Sequence, residues 1–459
     1  MGLSAAMEIG KNGLNIYSVA TEVTSENIAN VNTPGYSRQR VVLESAPPTT
    51  ANGFPLGTGV KISTVERYYD GLLQKQLINA QSTQGYDTTK STVLQQIEPT
   101  FNEVSNDGLG AAIANFFGAW QDLTLNPAGS AERQAVLSRT QILTDNFKAV
   151  STTLTDSINT QNDSLVPLTD SINATLKNIA QLNGQIKTTE LVSGNANEIR
   201  DQRDQLIRDL SQQIGITAKE NSDGTTDVTY ADGGAALVTG ATAGSFSLDK
   251  TVPTKFAVTL TDSSGAVTTP TPTTGQLGAT VTLRDTIIPG YRDKVDALAS
   301  TIATTVNDQH KLGFDQSGSA GVDFFTGTTA ATISLNAGIT GTDKIAASGN
   351  PLLLGDNSNA LALAQLQNQK VMSGNTASFG SYFTGLVSSV GLDVQSAKNT
   401  EAQDIAFTKQ LTTLRESNSG VSLDEELTNL IKYQRSYQAS SKLITTATEM
   451  MDTVIAMIR

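Results

Sequence analysis

The chain contains no cysteine, which removes disulfide staples and thiolate metal sites together. It contains one histidine, His310, and this excludes HExxH zinc sites, multi-histidine metal centres and most imidazole-dependent acid–base arrangements. Basic charge is scarce: 31 Lys and Arg stand against 44 Asp and Glu, a formal charge of −13. A surface of that sign repels phosphate backbones, and no Lys/Arg cluster offsets it, so nucleic acid is a disfavoured partner. No apolar run approaches the roughly 18 residues of a membrane span, so no membrane insertion is expected. The opening MGLSAAMEIGKNGLNIYSVATEV has no basic n-region, apolar h-region or cleavage site, and by these rules alone the chain reads as cytoplasmic. Aromatics are few at 5% and hydrophobic residues lean at 38%. A length of 459 residues allows about two to four domains. Thin, elongated modules fit this composition better than one thick core.

What the chain does have is helical periodicity at both ends. Leu3, Met7, Gly10, Leu14, Tyr17, Thr21, Thr24 and Ile28 fall on alternating three- and four-residue steps, a heptad seam. Gly10 and Gly13 weaken the helix but let another backbone approach closely. Asn32-Thr33-Pro34-Gly35 then stops it with turn chemistry. At the other end, Ser422 is a candidate N-cap with Glu425 at the capping-box position. Leu423, Leu427, Leu430, Gln434, Tyr437, Ser441, Ile444, Thr448, Met451, Ile455 and Ile458 continue as a seam. A terminal helix of that kind has little to bury its stripe against except another helix. The simplest solution is that the two ends pair with each other, leaving their remaining faces for neighbouring subunits.

Between the ends, extended segments and turns are expected to about residue 63, then helices to Gly215. A long run from Ser130 to Glu190 would span on the order of 90 Å, with Pro167 kinking or breaking it. From Ile216 to about Thr282 the period switches to two, with Asp223-Gly224 and Asp232-Gly233-Gly234 as turns, the pattern of a small inserted β-domain. A helix returns at Ile288, followed by a Gly/Asn-rich mixed region. The expected fold is therefore α+β and multidomain. Residues 1–63 and 405–459 form a terminal α-helical coiled-coil domain. Residues 64–215 and 285–404 form an elongated helical-bundle middle domain, and 216–284 the β-insert.

No catalytic constellation, cofactor site or metal site stands out. His310 reads as a helix C-terminal residue facing the dipole. Asp223 with Asp227, and Asp315 with Asp323, lack the spacing and terminal Glu of a calcium loop. Asp201 and Asp204 among Arg200 and Arg203 read as a charged helix face. An enzyme is not expected, although a secreted hydrolase or an adhesin acting through the β-insert are rival classes.

Particular residues also carry a family resemblance. Asn27-Ile28-Ala29-Asn30-Val31-Asn32-Thr33-Pro34-Gly35-Tyr36-Ser37-Arg38 resembles the N-terminal motif of bacterial flagellar rod, hook and hook-associated axial proteins. Within it, Ala29, Asn30, Asn32, Thr33, Pro34, Gly35 and Tyr36 are the motif positions. Ser419 to Leu427 and Leu430 to Ser440 look like the matching C-terminal motif. Asn197 to Leu206, Leu283-Arg284-Asp285 and Val306 to Gly313 are similar to the hook-associated protein 1 family, with other axial proteins (filament-side junction, hook or rod subunits) as the near alternatives. The resemblance implies a structural subunit at the hook–filament junction, outside the cell, exported through the flagellar channel without a cleaved signal. It implies as partners other copies in a ring-like homo-oligomer, the hook protein, the filament-side junction protein and an export chaperone on the C-terminal region. The candidate assembly interface is then Leu3, Met7, Leu14, Tyr17, Ile28, Leu423, Leu427, Leu430, Tyr437, Ile444, Met451, Ile455 and Ile458.

Overall fold

In the computed structural model, which describes residues 2–51, 54–101, 108–353 and 355–458, the chain is a multidomain α+β protein. The N-terminal part runs α1 (Gly2–Ala29), β1 (Gln39–Ser45), β2 (Thr49–Ala51), β3 (Phe54–Leu56) and β4 (Val60–Arg67). Helices α2 (Gly71–Ile97), α3 (Leu109–Leu125), α4 (Ser130–Ser193) and α5 (Asn197–Gln213) follow. The insert contains β5 (Ile216–Glu220), β6 (Thr226–Tyr230), β7 (Ala236–Thr239), β8 (Thr242–Ala243), β9 (Ser245–Asp249), β10 (Ala257–Thr261) and β11 (Val267–Thr268). The chain returns through α6 (Gly275–Thr282), α7 (Ile288–Lys311), β12 (Phe325–Thr326), β13 (Ser334–Leu335) and α8 (Ser358–Gln365). It closes with α9 (Phe379–Ser419) and α10 (Leu423–Ile458).

The sheets are small and antiparallel. Strands β1 and β4 pair, with a bulge between Val42 and Leu43. The insert holds a four-stranded sheet in the order β5-β6-β7-β8 and a three-stranded one in the order β11-β10-β9. Strand β6 alternates strictly, with Thr226, Val228 and Tyr230 buried and Asp227 and Thr229 half-buried. That is the period-two pattern read as geometry.

Two large hydrophobic cores sit along the bundle. The upper one gathers Trp120, Phe116, Phe117, Leu143, Phe147, Leu154, Val295, Ile302, Phe324, Phe379 and Val390 from α3, α4, α7, α9 and the loops between them. The lower one gathers Ile78, Leu165, Ile172, Leu176, Ile207, Leu210, Val228, Leu260 and Leu277, joining α4 and α5 to the insert. A third, small cluster of Leu73, Leu77, Ala80 and Leu411 ties α2 to α9.

Several expectations meet a different outcome. Helix α4 runs unbroken for 64 residues with Pro167 inside it. Leu165, Ile172 and Leu176 are fully buried on either side of the proline, so packing on both flanks outweighs the lost backbone bond. The boundary at residue 63 falls inside β4, because residues 64–67 continue pairing with β1. The insert's last residues, from Gly275, are helical rather than extended. The boundary at 404 falls inside α9, a single helix of 41 residues.

His310 lies in the last turn of α7, the helix C-terminal position read from the sequence, and the fold surrounds it with partners that the sequence does not show. It is fully buried, edge-on to Trp120 at 6.2 Å and tilted on Phe324 at 5.1 Å. Its Nδ1 lies 2.6 Å from the Val322 carbonyl, and its Nε2 accepts the Ala346 N–H at 2.9 Å. An imidazole that donates on one side and accepts on the other must be neutral. Burial accordingly lowers its pKa from 6.5. A lowered folded-state value stabilises the protein fully above about pH 6.5 and loses that contribution as pH falls, because the unfolded chain takes up the proton first. Melting curves from pH 7.5 to 5.5 should show this fall, and a His310→Gln variant should lack that part of it.

Candidate assembly site at the chain ends

Helices α1 and α10 make the most extensive packing contact between any two elements, so the ends do pair. The closest approach uses glycine. A Cβ on Gly10 would meet Ile444 Cγ1 at 2.6 Å, and one on Gly13 would meet Ser440 Oγ at 2.7 Å. Lower down, Tyr17 stacks on Tyr433 with ring centroids 6.4 Å apart. The centre of the α1 contact face is Gly10, Gly13, Ile16, Ala20, Val23 and Asn27, all buried. Leu3, Met7, Leu14, Tyr17 and Ile28 are half-buried at its margins. The heptad reading is thus offset by about one position. The closest approach falls at Gly10 and Gly13, the positions read as points of close backbone contact.

On α10, Leu430, Ile444 and Met451 are half-buried toward α1. Leu423, Leu427 and Ile431, spaced four apart, lie off the face formed by Tyr433, Ser440 and Ile444, and Tyr437, Val454, Ile455 and Met457 are also exposed. Leu423 is 45% exposed, Leu427 48% and Ile431 52%, so the start of α10 carries a second, short apolar stripe that the chain itself leaves open. The Ile458 side chain lies outside the described residues.

The turn after α1 is a hydrogen-bonded hub. Ala29 ends the helix. Asn30 Nδ2 donates to the Glu26 carbonyl at 3.1 Å, Asn30 Oδ1 accepts the Thr33 hydroxyl at 3.0 Å, and Tyr36 N–H closes onto the Thr33 carbonyl at 3.2 Å. Asn32, Thr33 and Pro34 are exposed on the tip of the turn. Gly35 has φ +83°, a conformation side chains resist. A Cβ there would also press on Gln205 Oε1 at 3.0 Å, so the turn can lie against α5 only with glycine.

Asn27, just before the turn, spends all its bonding capacity. Its Nδ2 donates to the Gln39 carbonyl at 2.9 Å and to Glu426 Oε2 at 3.0 Å. Its Oδ1 accepts the Gln39 N–H at 2.9 Å and the Tyr36 hydroxyl at 2.9 Å. Arg38 completes the joint with α10, reaching Glu426 Oε1 through Nε at 2.7 Å and Glu425 Oε2 through Nη1 at 2.6 Å. Asn27 and Arg38 thus bind the start of the chain to Glu426, near its end.

Below the turn lies a buried ionic cluster. Asp201 Oδ2 accepts the Ser37 N–H at 2.7 Å, and its Oδ1 accepts the Ser37 hydroxyl at 2.8 Å and Arg67 Nη1 at 2.6 Å. Arg67 Nη2 sits 2.7 Å from Asp204 Oδ2, and Arg203 reaches Asp204 Oδ1 at 3.2 Å. This overturns the reading of Asp201 and Asp204 as a solvated face: both are over nine-tenths buried. Burial opposes every charge here. The Arg67 guanidinium is nonetheless held more firmly protonated than usual by Asp204 and Asp201. Burial raises Asp201 by more than Arg67 and Ser37 lower it. Sequence reasoning missed Asn27, Arg38, Arg67 and Glu426. For Asn27, Arg38 and Glu426 the signal lay in the motif strings, whose ends meet across almost 400 residues (399 between Asn27 and Glu426); Arg67 lies outside those strings and 134 residues from Asp201.

An open groove of about 620 Å³ runs between this turn and α4/α5, with Glu26, Pro34, Tyr36, Leu182, Glu198 and Leu206 in its wall. Contact with the Glu198 carboxyl, together with burial, raises Glu26 to about 7. Among the described residues there is no cluster of three or more His, Cys, Asp or Glu suited to a metal ion, and no helix is long and apolar enough to cross a membrane. What the arrangement does is mechanical: it closes a split helical unit and locks it to the bundle.

That combination of paired terminal helices, a locked turn and a long bundle above them defines the class of axial flagellar subunits. The two terminal segments match models of that class separately: residues 7–36 the flagella basal body rod protein, and 415–457 the flagellar basal body rod FlgEFG protein C-terminal region. Residues 94–325 match the model of the flagellar hook-associated protein FlgK helical domain, and the chain belongs to that hook-associated protein family. It is 28% identical to flagellar hook-associated protein 1 of Escherichia coli over 546 aligned positions, covering 99% of this chain and 100% of the relative. It is 27% identical to flagellar hook-associated protein 1 of Bacillus subtilis, covering 98% and 97%. The flagellar hook junction protein FlgK of Burkholderia pseudomallei has a similar fold, with a TM-score of 0.66 at 19% identity, covering 75% of this chain and 100% of that one.

Proposed function

We propose that this chain is the structural subunit joining hook to filament in a bacterial flagellum, assembled as a ring-like layer of identical copies. The observation that carries this reading is the apolar stripe on α10 that faces away from α1, on a helix pair already closed by the motif hub. An exposed apolar stripe flanked by polar residues marks an interaction surface. Family membership supplies the setting, and the names of the full-length relatives agree with it. The stripe meets neighbouring copies, with the hook protein on one side and the filament-side junction protein on the other. Before assembly the paired terminal helices are only partly ordered, and they gain full order as the buried area of the ring offsets the cost of ordering them. The subunit reaches the cell exterior through the flagellar channel without a cleaved signal, escorted by a chaperone bound to its C-terminal region. Its role is structural and involves no catalysis or cofactor.

The test is Leu427→Asp combined with Ile431→Asp, two outward positions that leave the α1 contact intact. Cells carrying this double variant should make hooks but shed their filaments, while the purified variant melts like the parent. Normal filaments on such cells would refute the outward stripe as the interface.

A further inference from the structure

The two large cores are not continuous. Every long helix that passes from one to the other changes character at the crossing. On α2 the lower-core Ile78 and the upper-core Val93 are separated by buried Ser82, Gly85, Asp87 and Ser91. On α4, Leu154 and Leu165 bracket buried Gln161 and Asn162. Between α6 and α7 the helix widens into a π-helical turn, Leu283–Ile287, which carries the buried Arg284. On α9, Ala397 belongs to the upper core and Leu411 to the small lower cluster. Between them the pattern is inverted: Thr408 is buried and Asp404 half-buried, while Ile405 and Phe407 point outward at 43% and 52% exposure.

The two sides of this polar level differ. On the α4 side Asn162 and Arg284 are satisfied. Asn162 donates to the Pro253 carbonyl at 3.0 Å and accepts the Phe256 N–H at 2.8 Å and Arg284 Nη1 at 3.1 Å. Arg284 Nη1 also donates to the Phe256 carbonyl at 2.7 Å. On the α2–α9 side the reverse holds. Thr88 Oγ1 and Thr408 Oγ1 are buried without a hydrogen-bond partner, and buried Asp404 Oδ2 has no donor to accept from. Asp404 meets Asp87, and two carboxyls can bond only by sharing a proton; burial and Asp87 raise Asp404 to about 6. Buried polar atoms left unpaired make an interface weak. Helix α2 is held from its other face, where Gly85 packs against the Gln212 carbonyl of α5. Residues 398–410 of α9 are exposed or half-buried except for Thr408.

We infer that this level is a built-in joint: α9 separates locally from α2 there, and the upper body tilts against the helical base about the Asn162–Arg284 side as pivot. Functional motions are drawn from elements with few apolar contacts, and bundles bend where a π-turn or a polar group interrupts the packing. A subunit that bridges two differently shaped neighbours gains from such a joint, but the inference itself rests on the packing of this chain alone.

Hydrogen exchange on the full-length protein tests it. Amides of residues 400–410 should exchange at least tenfold faster than those of residues 386–397 in the same helix, whereas α4 amides around Asn162 should be as protected as their neighbours. The variant Asp87→Leu/Asp404→Leu/Thr408→Val, which fills the seam with apolar side chains, should slow exchange at 400–410 to the level of 386–397 and raise the melting temperature. Uniform protection along α9 in the parent protein would overturn the joint, whatever the variant does. Equal loosening of α4 at Asn162 would overturn the assignment of the pivot.

Discussion

Replacing Arg67 with Met should cost the protein about 3–5 kcal/mol of stability, the usual consequence of stranding a buried charge. Arg67 stands between Asp201 and Asp204, with contacts of 2.6 and 2.7 Å. Its own side chain is 6% exposed and theirs are 7%. Removing the cation leaves Asp201 with only Ser37 and Asp204 with only Arg203, whose geometry is poorer at 3.2 Å. The loss should appear in urea melts at pH 7 as a lower midpoint with an unchanged slope. It should shrink toward acid pH, where the stranded carboxylates can protonate. A variant that melts like the parent at pH 7 would mean that water reaches this cluster. The triple change Arg67→Met/Asp201→Asn/Asp204→Asn should recover much of the loss, because neutral partners need no counter-ion.

The second large effect belongs to the glycine contact. Gly13→Leu should separate α1 from α10, since even the first carbon of the new side chain would lie 2.7 Å from Ser440 Oγ. Neither side can retreat: Asn27 and Arg38 anchor the pair below, and Gly10 is equally tight against Ile444 above. The two bodies above should keep their melting behaviour, because neither large core contains an α1 or α10 residue. Limited proteolysis should remove both terminal helices from the variant at least tenfold faster than from the parent. Gly13→Ala should be intermediate, since only one methyl must be accommodated. Equal resistance in parent and Leu variant would show that the pair does not close through this face.

These two predictions sit on opposite sides of what could be read from the chain. The helical ends, the turn at Pro34-Gly35 and the period-two insert follow from local pattern, and the pairing of the ends from the lack of another surface for their stripes. Periodicity, turn chemistry and missing residue types are properties of neighbouring residues, so sequence carries them directly. Gly10 and Gly13 were legible as points of close approach for the same reason. The motif strings pointed to the family before any coordinate did, and the matches over 7–36, 94–325 and 415–457 bear that out.

Tertiary structure decided the rest. Whether Asp201 faces water or Arg67 depends on a strand more than a hundred residues away, and whether Asn27 is a helix terminus or a four-bond node depends on Glu426. His310 sits at the end of its helix as its sequence position implies, but it is buried because Trp120 and Phe324 close over it. Pro167 failed to interrupt α4 because apolar packing on both flanks is worth more than one backbone bond. Residue type fixes what a side chain can do, and local spacing fixes which face it shares. Only the folded chain determines which charges lose their water, and that loss turns an ordinary charged helix into the lock beneath the paired ends.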